Sequence, residues 1–204
     1  MKREDIDALL FDFGGVLVEI DFDRVLARWA QLAGVAFAQV KQRFDHGEAY
    51  QRHERGEIDA AAYFESLRAS LGIALSDADF ADGWKRVFGP EIARTVALLP
   101  RLAARIPIHL FSNTNRTHHR YWSARYEGAL RPLGRRFVSP EMGLRKPERE
   151  SFEHVARALG VPPGRILFFD DTAANIEGAH GAGMPAVRVR SPADVERAVL
   201  PWLD

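Results

Sequence analysis

The spacing of apolar and polar positions changes several times along the chain, and those changes divide it. Ala8–Phe11 is an unbroken apolar run that meets one carboxylate, Asp12, and then two glycines, Gly14 and Gly15. A run of this kind predicts a buried parallel strand over residues 6–12 that delivers Asp12 to its C-terminal end. The glycines predict a turn in which backbone can approach a ligand. Val16–Ile20 extends this as a short flap. Asp21 or Asp23 then caps a helix that places Val25, Leu26, Trp29, Leu32 and Ala33 on one face and stops at Gly34. Helical spacing continues over 36–45, 47–54, 59–71 and 77–88, with Asp59 as an N-cap, Gly72 as a stop and Ser76–Asp79 as a capping box carrying Asp for Glu. No strand pattern interrupts residues 21–88, so they read as a helical block inserted after the first strand.

Beyond it the pattern alternates. Pro90-Glu91 opens a helix to about Ala104. Strands follow at Pro107–Phe111, Arg136–Val138, Arg165–Phe169 and Pro185–Val189. A helix containing Tyr121–Tyr126, a loop over 128–135, an irregular stretch from Ser139 to Pro147, and helices over 148–159, 173–182 and from Ser191-Pro192 fill the intervals. Alternation of this kind predicts an α/β fold: a parallel, Rossmann-like sheet with helices on both faces. The expected organisation is a core of 1–20 and 89–204 with a helical insert of 21–88.

Composition narrows the function classes. The 204 residues are 47% apolar and 27% charged, with 28 basic and 28 acidic side chains and no net charge. No basic excess points to nucleic acid or an anionic membrane surface. There is no cysteine, which excludes disulfides, thiolate catalysis and thiolate metal sites. No apolar run approaches a membrane span and the first residues carry no signal-like apolar region, so a cytoplasmic protein is expected, as monomer or weak homodimer.

Three strands end in polar groups: Asp12, Ser112-Asn113 and Asp170-Asp171. Parallel strands bring these to one sheet edge, where open α/β sheets bind ligands. Three carboxylates there repel one another and raise each other's pKa, and a hard divalent cation such as Mg²⁺ resolves the conflict. Ser112 and Asn113 offer hydroxyl and amide donors beside a helix N-terminus that favours an anion. Lys146 is a compact positive charge suited to phosphate. Metal, cation, anion cradle and nucleophilic carboxylate together point to phosphoryl transfer through an aspartyl-phosphate.

The ordered stretches Asp-x-Gly-Gly-Val-Leu from Asp12, Leu-Phe-Ser-Asn-Thr-Asn from Leu110, Arg-Lys-Pro-Glu from Arg145 and Phe-Phe-Asp-Asp from Phe168 resemble the four motifs of the haloacid dehalogenase superfamily. The insert at 21–88 is similar to its C1 cap. The stretches around Phe11–Phe22, Gly47–Ile58, Gly143–Glu148 and Asn175–Ala179 resemble, more narrowly, its bacterial α-D-glucose-1-phosphate phosphatases. The resemblance implies a Mg²⁺-dependent phosphatase acting on a small phosphorylated metabolite. It implies Asp12 as nucleophile and metal ligand, and a Gly14 carbonyl on the metal. Ser112 and Asn113 would hold the phosphoryl oxygens, and Lys146 would neutralise charge. Asp171 is the implied direct metal ligand, with Asp170 bonding metal-bound water or Lys146. One departure stands out. Most phosphatases of the superfamily carry an acid two residues after the nucleophile, where this chain has Gly14. The alternatives are a 2-haloacid dehalogenase, which the resemblance implies would lack the metal and the Asp-Asp pair, and a non-catalytic metabolite-binding relative.

Other residues carry plainer expectations. Asp170-Asp171 could cap a helix, and Lys146 could be an ordinary surface lysine. His118 and His119 read as helix-surface residues. His46, His53, Glu54 and Arg55 read as a solvated face of the helical insert, with the alternative that one or two point into the closed site and read sugar hydroxyls. Tyr50, Tyr63, Phe64 and Trp84 read as packing inside the insert, and Tyr121, Trp122 and Tyr126 as packing on the sheet.

Overall fold

The computed structural model describes residues 3–203; Met1, Lys2 and Asp204, the outer ends of the expected core segments, lie outside the described residues. The elements run in the order β1 (Ala8–Phe11), β2 (Val18–Ile20), α1 (Phe22–Ala33), α2 (Phe37–Arg43), α3 (Glu48–Glu54), α4 (Ala60–Leu71), α5 (Asp77–Trp84) and β3 (Phe88–Glu91). Then come α6 (Ala93–Val96), α7 (Leu99–Ala103), β4 (Ile108–Ser112), α8 (Arg116–Arg125), α9 (Glu127–Leu130), β5 (Arg136–Val138) and α10 (Ser139–Met142). The chain finishes with α11 (Arg149–Leu159), β6 (Ile166–Asp170), α12 (Ala173–Gly181), β7 (Ala186–Arg188) and α13 (Pro192–Leu203). The helix caps are those expected: the side chains of Asp21, Asp59 and Ser76 accept from backbone N–H groups of the first turn, and Gly34 and Gly72 close helices with left-handed φ; Gly160 does the same after Leu159.

Five strands form one parallel sheet in the order β5-β4-β1-β6-β7. β1 is central, which is why all four of its residues are apolar and buried. Its alternate side chains feed different cores: Leu9 and Phe11 enter one cluster with Leu110, Trp122 and Phe169, and Ala8 and Leu10 enter another with Phe111, Phe152 and Phe168. A third cluster lies among α1–α5, built on Trp29, Tyr63, Phe80 and Trp84. Trp29 and Trp84 stack 5.4 Å apart, and the indole of Trp29 donates to the Phe80 carbonyl. No helix among the described residues is long and apolar enough to cross a membrane.

Two local readings fail. Pro90-Glu91 does not open a helix; Phe88–Glu91 pairs antiparallel with β2 and makes a two-stranded ribbon at the base of the helical insert. Proline is tolerated there because a ribbon strand has an unpaired edge. Residues 127–130 and 139–142, expected to be loop and irregular, each form one helical turn.

Candidate active site

The sheet does for the site what alternation promised. Phe11 is level with Leu110 on one side and Phe169 on the other, so Asp12, Phe111-Ser112 and Asp170 stand together at the C-terminal edge. They open onto a cavity of about 520 Å³ whose opposite wall comes from the ribbon and from α3. Gly15 has φ +72°, and a β-carbon there would collide with the Asp171 carboxylate. Only glycine lets the turn after Asp12 pass this close to Asp171.

Lys146 is the hub. Its ammonium lies 2.8 Å from Asp12 Oδ1 and 2.7 Å from Asp170 Oδ2, and donates to the Phe111 carbonyl at 3.0 Å. It is 1% exposed, so it is no surface lysine. Burial alone would lower its pKa, but Asp12 and Asp170 reverse this and hold it charged. Asn113 clamps the same residue: its Oδ1 accepts from the Lys146 N–H at 2.9 Å and its Nδ2 donates to the Lys146 carbonyl at 2.8 Å. The Asn113 side chain therefore positions Lys146, and Asn113 lines the cavity beside Ser112. Asp170, fully buried, also accepts from the Thr172 N–H and from Asn175, whose Nδ2 reaches both carboxylate oxygens at 3.0 Å.

Ligand oxygens of Asp12, Asp170 and Asp171 lie within 4.8 Å of one another. Burial pushes the Asp12 carboxyl well above the usual carboxylate range; Lys146 pulls it down, and Asp170 and Asp171 push it up again. Burial and then Asp170 raise Asp171 as well. Three acids against one ammonium leave a deficit of positive charge in a set of hard oxygen donors, and Mg²⁺ fits that set. Gly14 offers no acid, and the space a side chain would take is filled. A β-carbon at Gly14 would stand 2.7 Å from Ile20 Cγ1 of the ribbon.

The opposite wall follows the alternative reading in its geometry: His46 and Glu54 line the cavity. His53 and Glu54 are buried, not solvated. The His53 ring stacks on Tyr63 at 4.6 Å. Glu54 Oε2 accepts from Arg145 Nε at 2.9 Å, and Tyr50 hydrogen-bonds the same carboxylate. Arg55 Nη1 pairs with Glu148 Oε1 at 3.0 Å. His46 and Tyr50 also face the cavity. His118, expected on a helix surface, is buried: its Nε2 donates to the Trp84 carbonyl at 2.9 Å and its ring stacks on Trp84. Burial pushes its pKa down to about 3. His119 stays half-buried beside Glu141. Sequence reasoning gave no role to Arg145 or Asn175 and placed His118 on a helix surface. Arg145 and His118 act through partners distant in the sequence, Glu54 and Trp84, whereas Asn175 holds Asp170 only five residues away; Arg145 and Asn175 stand beside motif residues and could have been flagged by that adjacency.

Comparison with known proteins now identifies the frame. The sequence profile of the haloacid dehalogenase-like hydrolases matches residues 6–183. The chain belongs to the haloacid dehalogenase-like hydrolases. Among relatives of this hydrolase, D-ribitol-5-phosphate phosphatase of Bacteroides thetaiotaomicron is 26% identical over 196 residues, 93% of this chain and 94% of the relative. A sesquiterpene phosphatase of Aspergillus oryzae is 25% identical over 182 residues, 87% of this chain and 86% of the relative. A haloacid dehalogenase family enzyme from Bacteroides thetaiotaomicron, solved with magnesium and inorganic phosphate, superposes with a TM-score of 0.78 at 25% identity over 91% of this chain and 94% of its own.

Proposed function

We propose that this hydrolase is a Mg²⁺-dependent phosphatase for a small phosphorylated metabolite, a sugar phosphate such as glucose 1-phosphate. The observation that carries the reading is Lys146, buried between Asp12 and Asp170 with Asp171 alongside. A single cation poised among three acids suits a nucleophilic carboxylate that must meet a dianionic phosphate. The phosphatase relatives, and the relative solved with magnesium and phosphate, support it.

In this reading Asp12, Asp171 and the Gly14 carbonyl hold the ion, and Asp170 holds Lys146 beside it. When bound, Mg²⁺ offsets negative charge between phosphate and carboxylate. Asp12 attacks phosphorus in line, the P–O bond to the alcohol breaks, and the aspartyl-phosphate is then hydrolysed to regenerate Asp12 and release phosphate. Ser112 and the Asn113 N–H take the phosphoryl oxygens; Lys146 neutralises the charge that gathers on them. Residues 21–88 act as a cap that excludes water during the first step, over a core of 1–20 and 89–204. No side chain at Gly14 protonates the departing alcohol. An anomeric oxygen, which leaves more easily than an ordinary alkoxide, suits that lack.

A sugar-phosphate panel with Mg²⁺ tests this, with glucose 1-phosphate against glucose 6-phosphate. Expected are activity abolished by EDTA and a loss of about 10⁴-fold or more in Asp12→Asn. Full Mg²⁺-dependent activity in Asp12→Asn would sink the assignment of the nucleophile. Chloride release from a haloacid in EDTA would replace the reading with a dehalogenase. A preference for the 6-phosphate would remove the glucose 1-phosphate assignment alone.

A further inference from the structure

Glu54 and Arg145 meet across the cavity from Asp12, one on α3 and the other in the loop that carries Lys146. Glu54 is 4% exposed, yet it lines the cavity together with Arg145 and Tyr50. Arg145 spends only Nε on Glu54; among the described residues its two terminal nitrogens have no protein partner. Glu54 accepts from Arg145 and Tyr50, and a carboxylate has acceptor sites beyond those two. The wall thus holds a spare acceptor beside spare donors, on rigid supports. The neighbouring pair Arg55–Glu148 fixes the same junction, and Glu148 also accepts from the Arg145 N–H at 3.1 Å.

We propose that Glu54 and Arg145, with Tyr50 behind them, are the specificity-determining residues of this enzyme and read adjacent hydroxyls of the alcohol being released. One hydroxyl donates to the Glu54 carboxylate and its neighbour accepts from the Arg145 guanidinium. The inference rests on the phosphatase reading and narrows it to polyhydroxylated phosphomonoesters. An isoprenoid or alkyl chain seated there would strip water from Glu54 and Arg145 and return no hydrogen bond, which a buried charged pair does not tolerate. The competing role for the pair is a latch that only holds α3 against the Lys146 loop, and such a latch cannot tell one alcohol from another.

The test uses the whole protein with Mg²⁺ and compares kcat/KM for pentitol 5-phosphates and hexose phosphates, each against its hydroxyl-free alkyl counterpart, with p-nitrophenyl phosphate as a generic ester. The wild type is expected to favour at least one polyol ester over its counterpart by roughly 10²-fold. In Glu54→Leu that ratio falls by about the same factor, and in Glu54→Gln, which keeps a neutral acceptor, it recovers to within about tenfold of wild type. Equal loss for both members of a pair in Glu54→Leu assigns the latch role and overturns the proposal. Should Glu54→Leu not fold, Arg145→Leu on the same pairs decides: a fall in the polyol-to-alkyl ratio supports the proposal and equal loss for both members overturns it. A wild type that hydrolyses alkyl phosphates as well as polyol phosphates overturns the proposal while the phosphatase reading stands. A wild type that hydrolyses none of these esters, p-nitrophenyl phosphate included, overturns both.

Discussion

The two walls of the cavity are built by different means. The floor is a sheet edge: β1, β4 and β6 end there in parallel, and their registers bring Asp12, Ser112 and Asp170 level. The opposite wall is the side of a helix, and what α3 presents depends on how it packs against Tyr63 and against the Arg145 loop. A parallel sheet fixes the direction of each strand end once its topology is set. A helix has a full turn of choices, and long-range packing selects among them. The floor is therefore suited to chemistry that stays constant, and the wall to recognition that varies.

The sharpest break in that comparison is at Lys146, the one cation of the floor among the described residues. Lys146→Met leaves the Asp12 and Asp170 carboxylates buried without their cation, Asp170 keeping only its neutral donors Thr172 and Asn175. Without Mg²⁺ the variant is expected to be less stable by about 3–5 kcal/mol, as for other buried pairs that lose one member. Urea unfolding should show part of this recovered by Mg²⁺. The kcat should fall roughly 10³-fold for every ester alike, in contrast to the selective losses expected at Glu54. A kcat within tenfold of wild type would mean that Lys146 only balances charge in the fold.

The same contrast explains what was legible. The strand ends were, because each apolar run stops at a polar residue and parallel pairing does the rest. Lys146 was, because its neighbours form a recognisable stretch. Glu54 was legible only as one of four candidates for a site-facing position, and His118 was not. His53-Glu54-Arg55 and Arg116-Thr117-His118-His119-Arg120 are polar strings that local pattern assigns to solvent. It takes Arg145, 91 residues away, to bury Glu54, and Trp84, 34 residues away, to bury His118. Pro90 failed for the same reason: β3 is a strand only because β2 lies beside it. Asn113 shows the subtler limit, since its position was readable and the direction of its amide was not.

Gly14 lies where the two walls meet. The structure gives its missing acid a physical counterpart: Ile20 occupies the space. Gly14→Asp alone is expected to cost about 1–3 kcal/mol through overpacking and to lower activity. Gly14→Asp with Ile20→Ala relieves the contact. If a proton donor is what the floor lacks, the double variant should raise the rate on alkyl phosphates relative to p-nitrophenyl phosphate by at least ~10-fold, the low end of what a positioned acid contributes. Relative rates equal to those of Ile20→Ala alone, in a folded protein, would show that leaving-group protonation does not limit this site.

The smallest expected effect concerns His118, which ties α8 of the floor to the last turn of α5 above. Its folded pKa of about 3 lies below the ordinary 6.5, so between these values the unfolded chain binds a proton that the folded one refuses. The stability this residue contributes is complete above pH 6.5 and is lost as pH falls toward 3. For one group displaced this far, linkage gives a loss of about 2 kcal/mol between pH 7 and pH 5. His118→Phe keeps an aromatic surface against Trp84 but removes both the titration and the hydrogen bond to the Trp84 carbonyl. The variant should therefore be less stable than wild type at pH 7, by about 1–2 kcal/mol for the orphaned carbonyl. Its stability should also fall less steeply on acidification, so that the two proteins converge near pH 5. Urea midpoints at the two pH values measure both effects, and the other histidines cancel in the difference. Parallel pH profiles would mean that His118 is protonated without leaving its place, and that the junction it makes is looser than its packing on Trp84 implies.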